Sequence, residues 1–207
     1  MTGKFITFEG CEGSGKSTQL RLLSEYLTSA GVDFLMTREP GGSVISEEIR
    51  KIILNGKNTE MCDECEALLY AAARVQHLNE IIKPALKQGK LVICDRYVYS
   101  SLAYQGYARG LGVKFIEGIN KTALDDCPPN MTVFLDISPA DAFNRKHGAD
   151  ENDRMEQLGL AFHEKVYAGY KALMAVHPDI CAVDCSGSKE QTAEKIVKLL
   201  KERDIIN

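Results

Sequence analysis

A chain of 207 residues accommodates one α/β domain, with room only for small excursions. Its 44% hydrophobic and 26% charged residues are ordinary for a soluble globular protein. A formal net charge of −4 argues against nonspecific nucleic-acid binding, and no stretch reaches the roughly 18 uninterrupted apolar residues of a membrane span.

The chain opens on an apolar, β-favouring run, Phe5-Ile6-Thr7-Phe8, with no apolar leader before it, so a cytoplasmic location is expected. That run predicts a buried strand over 5–9. It leads into Gly10-Cys11-Glu12-Gly13-Ser14-Gly15-Lys16-Ser17, which fits G-x-x-x-x-G-K-[ST]. A helix over 17–29 follows, with Leu20, Leu22, Leu23, Tyr26 and Leu27 on its buried side. Strand, glycine turn and helix together make a phosphate-binding loop. Glycines let several N–H groups point at one anion, and the helix N-terminus adds partial positive charge. Lys16 suits the outer phosphates and the Ser17 hydroxyl suits Mg²⁺. The segment from Gly10 through Thr18 is therefore the expected nucleoside triphosphate site; a purely structural glycine turn is the plainer alternative. Oxidation of Cys11, inside the loop, would block it.

Further along, strands are predicted over 33–36, 91–95, 132–136 and 181–184. Helical patterns cover 47–54, 65–88, a stretch from about Ser100, 113–124, 140–146, 153–176 and 189–203. Strands alternating with helices imply right-handed crossovers and a five-stranded parallel sheet with helices on both faces, a three-layer α/β/α sandwich. Such sheets bind ligands beyond the carboxyl ends of their strands. Three polar clusters fall there: the glycine loop, Arg38-Glu39-Pro40-Gly41-Gly42, and Asp95-Arg96-Tyr97. No linker or repeat divides residues 1–207. The charged segment 144–154, carrying Arg145, Lys146 and Arg154, reads either as a solvated connection or as a mobile lid bringing cations onto phosphates.

Seven cysteines without a secretory signal are expected as reduced thiols. Cys62 and Cys65 form one C-x-x-C pair, but Cys181 and Cys185 are a poor second pair, so no zinc site is expected.

A phosphate loop alone does not separate a switch GTPase, a motor ATPase and a small-molecule kinase. A guanine-reading Asn-Lys-x-Asp run is absent, since Asn120-Lys121-Thr122-Ala123 fails at its fourth position. Instead Arg38, Arg50, Arg74 and Arg96 lie near strand ends. Guanidinium forks suit phosphate oxygens and base edges, although any one of them is equally at home in a surface ion pair.

Thr37-Arg38-Glu39-Pro40-Gly41-Gly42, Tyr70-Ala71-Ala72-Ala73-Arg74, Asp95-Arg96-Tyr97 and Ser100-Ser101-Leu102-Ala103-Tyr104-Gln105-Gly106 occur in this order. In order and spacing they resemble the bacterial thymidylate kinases, from the phosphate loop through to Tyr170. The resemblance implies a P-loop nucleoside monophosphate kinase fold, transfer of the γ-phosphoryl group of ATP to dTMP, dependence on Mg²⁺, and a homodimer. It implies that Arg38 and Arg96 clamp the acceptor phosphate, that Tyr70 stacks on thymine, and that Arg74 donates to the base edge one helical turn away. Arg50, Ser101 and Gln105 resemble further base-edge contacts, Tyr104 the residue beside the sugar, and Glu12 a loop carboxylate near the 3′-hydroxyl. Asp95 ends a strand, where it orients either Arg96 or a Mg²⁺-bound water. The phosphate loop has no arginine, so the resemblance is to the type that carries its catalytic cation in the lid, with Arg145 and Arg154 as candidates. Two other readings stay open here: a different small-molecule kinase on the same fold, and a nucleotide switch that hydrolyses slowly. In a switch, two acceptor-side arginines and a stacking tyrosine would have no purpose.

Overall fold

The computed structural model describes residues 3–145 and 154–207. Five strands, β1 (Lys4–Glu9), β2 (Phe34–Arg38), β3 (Leu91–Asp95), β4 (Met131–Asp136) and β5 (Ile180–Asp184), form one sheet in the order β2-β3-β1-β4-β5. Every neighbouring pair is parallel. The central strand β1 lies between β3 and β4, which places Phe8 opposite Asp95 and Glu9 opposite Phe134. The phosphate loop and the Asp95 corner thus leave the sheet side by side.

Alternation along β1 divides the core. Phe5 packs with Cys94, Phe134 and Tyr170 on one face, while Ile6 and Phe8 pack with Leu23, Leu27, Leu135 and Leu200 on the other. On the Phe5 face, the buried hydroxyls of Thr7 and Thr132 hydrogen-bond at 2.8 Å, which satisfies both polar atoms.

The helices are α1 (Lys16–Ser29), α2 (Val44–Leu54), α3 (Asp63–His77), α4 (Lys83–Lys87), α5 (Val98–Ser101), α6 (Val113–Ile119), α7 (Lys121–Asp126), α8 (Pro139–Arg145), α9 (Gly159–Val176) and α10 (Lys189–Glu202). Three continuous helices expected from periodicity are interrupted. The segment 65–88 passes through a π-helical turn at Leu78–Ile82 before α4, where Pro84 has no N–H to continue the ordinary ladder. The segment 113–124 breaks at Asn120, whose side chain is drawn to Arg74. The segment 153–176 begins α9 only at Gly159, whose φ of 69° ends a short 3₁₀ turn. The helix expected near Ser100 widens at Leu102–Ala108 into a π-helical stretch carrying Tyr104 and Gln105.

Candidate active site

After β1 the backbone turns through Gly10, Gly13 and Gly15, all at positive φ. At Gly13 a Cβ would lie 2.5 Å from the Ala142 carbonyl oxygen, so a side chain is excluded on two counts. Lys16 opens α1, is buried, and donates from Nζ to the Gly10 carbonyl at 3.3 Å. Burial, followed by the nearby Arg96, lowers its pKa, while Asp95, Glu12 and Glu9 pull it back up. A desolvated ammonium of this kind gains from nearby phosphate oxygens.

Arg96, just past β3, has a left-handed backbone with φ of 67°, uncommon for a residue with a long side chain. Its N–H donates to the Phe8 carbonyl at 2.8 Å. This turn sends the side chain back over the phosphate loop. Nη1 donates to the Gly10 carbonyl and to Ser100 Oγ, both at 3.1 Å. Nη2 pairs with the Glu12 carboxylate and donates to the Tyr104 hydroxyl at 3.3 Å, over the Tyr104 ring.

Beneath this corner lies Glu9, fully buried. Its carboxylate accepts the N–H groups of Tyr97 at 2.8 Å and Ser100 at 3.2 Å, and the Tyr170 hydroxyl at 2.8 Å. Burial raises its pKa against those hydrogen bonds. Glu9 caps the start of α5 from a neighbouring strand and so fixes the loop that presents Arg96. Sequence reading missed it; the available signal was an acid closing an otherwise apolar strand. Asp95 Oδ1 is buried without a hydrogen-bond partner among the described residues.

Arg74 is buried in the wall between α3 and α5. Nε donates to Glu39 Oε2 at 2.6 Å, Nη1 to Ser101 Oγ at 3.1 Å and to Asn120 Oδ1, and Nη2 to the Tyr97 carbonyl at 3.0 Å. Four of its five N–H groups are thereby committed. Glu39 in turn accepts from His77, which bonds Thr37 at 2.7 Å. Glu39, which also lines the cavity, was read only as part of a polar cluster with no role of its own, and Asn120 was not recognised as a site residue because it acts through Arg74 from a distant part of the chain. Arg38 is exposed and held in a two-point pair with Glu47 at 2.7 and 3.1 Å, and Arg50 donates to the Pro40 carbonyl at 2.8 Å.

One cavity of about 450 Å³ gathers nearly all of these groups. Residues Glu12 through Thr18 line it, together with Asp95, Arg96 and Arg145. Arg38, Arg50, Tyr70, Arg74, Ser101, Tyr104 and Gln105 line the remainder. Gly10 and Cys11 lie behind this lining; Cys11 is buried, and its thiol is pushed up to about 11, chiefly by that burial. Arg154 is not part of the lining. It pairs with the buried carboxylate of Glu66 and donates from Nε to the Ile53 carbonyl at 3.1 Å. Of the candidate lid, residues 146–153, Lys146 included, lie outside the described residues. Cys62 and Cys65 are exposed.

The sequence model of the thymidylate kinase family matches residues 8–196, which span the whole cavity. The chain belongs to the thymidylate kinase family. It is 45% identical over 202 residues to a thymidylate kinase of Finegoldia magna, covering 98% of this chain and all of that one. A thymidylate kinase of Lactobacillus delbrueckii subsp. bulgaricus is 49% identical over 205 residues, and one of Bacillus pumilus is 46% identical over 205 residues. These alignments cover 97% and 98% of this chain and 97% of each relative. The five-stranded parallel sheet and the glycine loop at the end of β1 are what the family's P-loop fold requires. Among the described residues no helix is long and apolar enough to cross a membrane.

Proposed function

We infer that the protein transfers the γ-phosphoryl group of ATP to dTMP, giving ADP and dTDP on the route to the dTTP of DNA synthesis. The observation that carries the reading is the meeting of Lys16 and Arg96 at a single carbonyl, that of Gly10, at 3.3 and 3.1 Å, within one cavity. Two cations converging on one point suit a reaction that moves a phosphoryl group between two anions, where positioning and charge compensation supply the catalysis.

In this reading residues Gly10 through Thr18 wrap the triphosphate, with Lys16 on its outer oxygens. Arg96 and Arg38 hold the acceptor phosphate, and Glu12 orients Arg96 and the sugar 3′-hydroxyl. Tyr70 stacks on thymine. The uncommitted N–H of Arg74 meets the base edge with Arg50, Ser101 and Gln105, and Tyr104 crowds the sugar. Arg145 is the cation placed to meet charge developing on the transferring group. Mg²⁺ fits the donor set: the orphaned Asp95 Oδ1 and the Ser17 hydroxyl are hard oxygen ligands suited to the ion or its waters. When bound, the ion neutralises phosphate charge.

We take residues 1–207 as one catalytic domain working in the cytoplasm, where its seven free thiols remain reduced. We also propose a homodimer. Val44, Ile45 and Ile52 on α2 and Leu68 on the adjoining α3 are exposed, and Ile45 and Ile52 are spaced to share a helix face. Light scattering tests the dimer. A coupled assay for ADP release across a panel of monophosphates tests the reaction. Rapid, dTMP-dependent release is expected, whereas slow hydrolysis indifferent to dTMP overturns the reading.

A further inference from the structure

Glu66 lies in the first turn of α3, four residues before Tyr70 and eight before Arg74, so the three share one face of the helix. Unlike those two it does not line the cavity, and it is fully buried. Its carboxylate is satisfied from three directions. Gln105 Nε2 donates to Oε1 at 2.8 Å, Arg109 Nη2 donates to Oε2 at 2.9 Å, and Arg154 pairs with Oε2. Two guanidiniums compensate the buried charge, so the carboxylate remains an acceptor.

That property fixes the amide of Gln105. An amide has one donor end and one acceptor end, and its two orientations have nearly the same shape. Facing an ionised carboxylate, only the nitrogen end is tolerated. The amide oxygen of Gln105 therefore points away from Glu66 and has no partner among the described residues, while Gln105 itself lines the cavity beside Arg74 and Ser101. The wall thus offers one fixed acceptor, the amide oxygen, and one fixed donor, the remaining N–H of Arg74.

Thymine and uracil present a complementary edge, an N3–H donor beside the O4 acceptor. Cytosine presents the reverse, an N3 acceptor beside an amino donor. To take cytosine the Gln105 amide would have to rotate by half a turn, which would set its oxygen against the Glu66 carboxylate. We propose that Glu66 is a specificity-determining positioning residue, which locks the polarity of Gln105 and so excludes cytosine nucleotides without touching them. The proposal rests on the dTMP reading above.

The test compares kcat/KM for dTMP and dCMP in the wild-type enzyme and in Glu66→Gln. A carboxamide at position 66 can donate to a rotated Gln105, so the reversed orientation becomes available. The dTMP/dCMP preference should fall by on the order of 10-fold or more, mainly because dCMP improves. In Glu66→Gln/Gln105→Ala the preference should equal that of Gln105→Ala alone. A folded Glu66→Gln enzyme with unchanged preference, or with both substrates reduced alike, overturns the proposal, since a merely structural carboxylate gives one of those results. If Glu66→Gln does not fold, Gln105→Ala carries the test. Its preference must fall, and an unchanged value overturns the proposal by removing the group through which Glu66 acts. Wild-type turnover separates the two levels of inference: no ADP release with dTMP refutes the dTMP reading itself, whereas normal release with an unmoved preference refutes only the role of Glu66.

Discussion

Glu39 Oε2 accepts from Arg74 Nε at 2.6 Å, and both side chains are almost wholly buried. The pair gives Arg74 a second duty beside the base. Removing one member of a buried pair leaves the other uncompensated, which typically costs about 3–5 kcal/mol. Arg74→Ala should therefore lower stability in denaturant unfolding by an amount of that order, in addition to weakening dTMP binding. Glu39→Gln should lower stability less, because a carboxamide still accepts from Arg74. Equal and negligible changes in both variants would show that the pair does not hold the wall.

Lys16→Ala is expected to leave the fold intact and to reduce turnover. By analogy with the loss of one positioned charge-stabilising donor, the loss should be at least on the order of 10²-fold. The lysine faces charge that shifts during transfer, so the effect should appear in kcat rather than in the KM for dTMP. Steady-state kinetics on a variant with a native melting profile decides it, and near-normal turnover would remove Lys16 from the reaction.

Several parts of this site were legible in the sequence because they depend on neighbours close along the chain. The glycine loop needs only a strand before it and a helix after it. Strand β3 is a short apolar run closed by Asp95, and the structure begins and ends it where the run does. Tyr70 and Arg74 share a helix face at a spacing of four. Glu66 continues the same spacing, yet its meaning comes from Gln105 and Arg109, 39 and 43 residues away. Glu9 likewise acts on Ser100 and Tyr170 across the sheet. Buried polar groups of this kind are specified by tertiary contacts, and no local period announces them. Helix interruptions at Asn120 and Gly159 were missed for a related reason: the apolar period runs on through each break.

Arg145 and Arg154 flank the same charged segment but meet different partners. Arg145 is exposed, lines the cavity and donates to the Cys185 carbonyl at 2.9 Å, a contact it can exchange for a phosphate oxygen. Arg154 is tied to Glu66 and to the end of α2. At saturating substrates Arg145→Ala should lose turnover by on the order of 10²-fold or more, as expected for a cation serving the transition state. Arg154→Ala should instead lower thermal stability and raise the KM for dTMP, with a smaller effect on kcat. The reverse pattern, a normal Arg145→Ala and a slow Arg154→Ala with ordinary KM, would transfer the catalytic role to Arg154.

The place of Cys11 in the phosphate loop suggests an oxidation liability. Burial holds its thiol at about 11, against the opposing pull of Arg96 and Lys16. The thiolate is the reactive form, and at pH 8 a thiol with that pKa is ionised in only about one molecule in a thousand. Its sulfur is also screened from solvent, whereas Cys62 and Cys65 are exposed. Brief treatment of the folded enzyme with iodoacetamide should label Cys62 and Cys65, spare Cys11 and preserve activity, with peptide mass spectrometry locating the adducts. Raising the pH towards 11 should increase Cys11 labelling, because the buried group begins to ionise there, and unfolding should make all seven thiols reactive. Inactivation at neutral pH in step with Cys11 modification would mean that the loop opens often enough to expose the thiol, and that the phosphate loop is redox-sensitive after all.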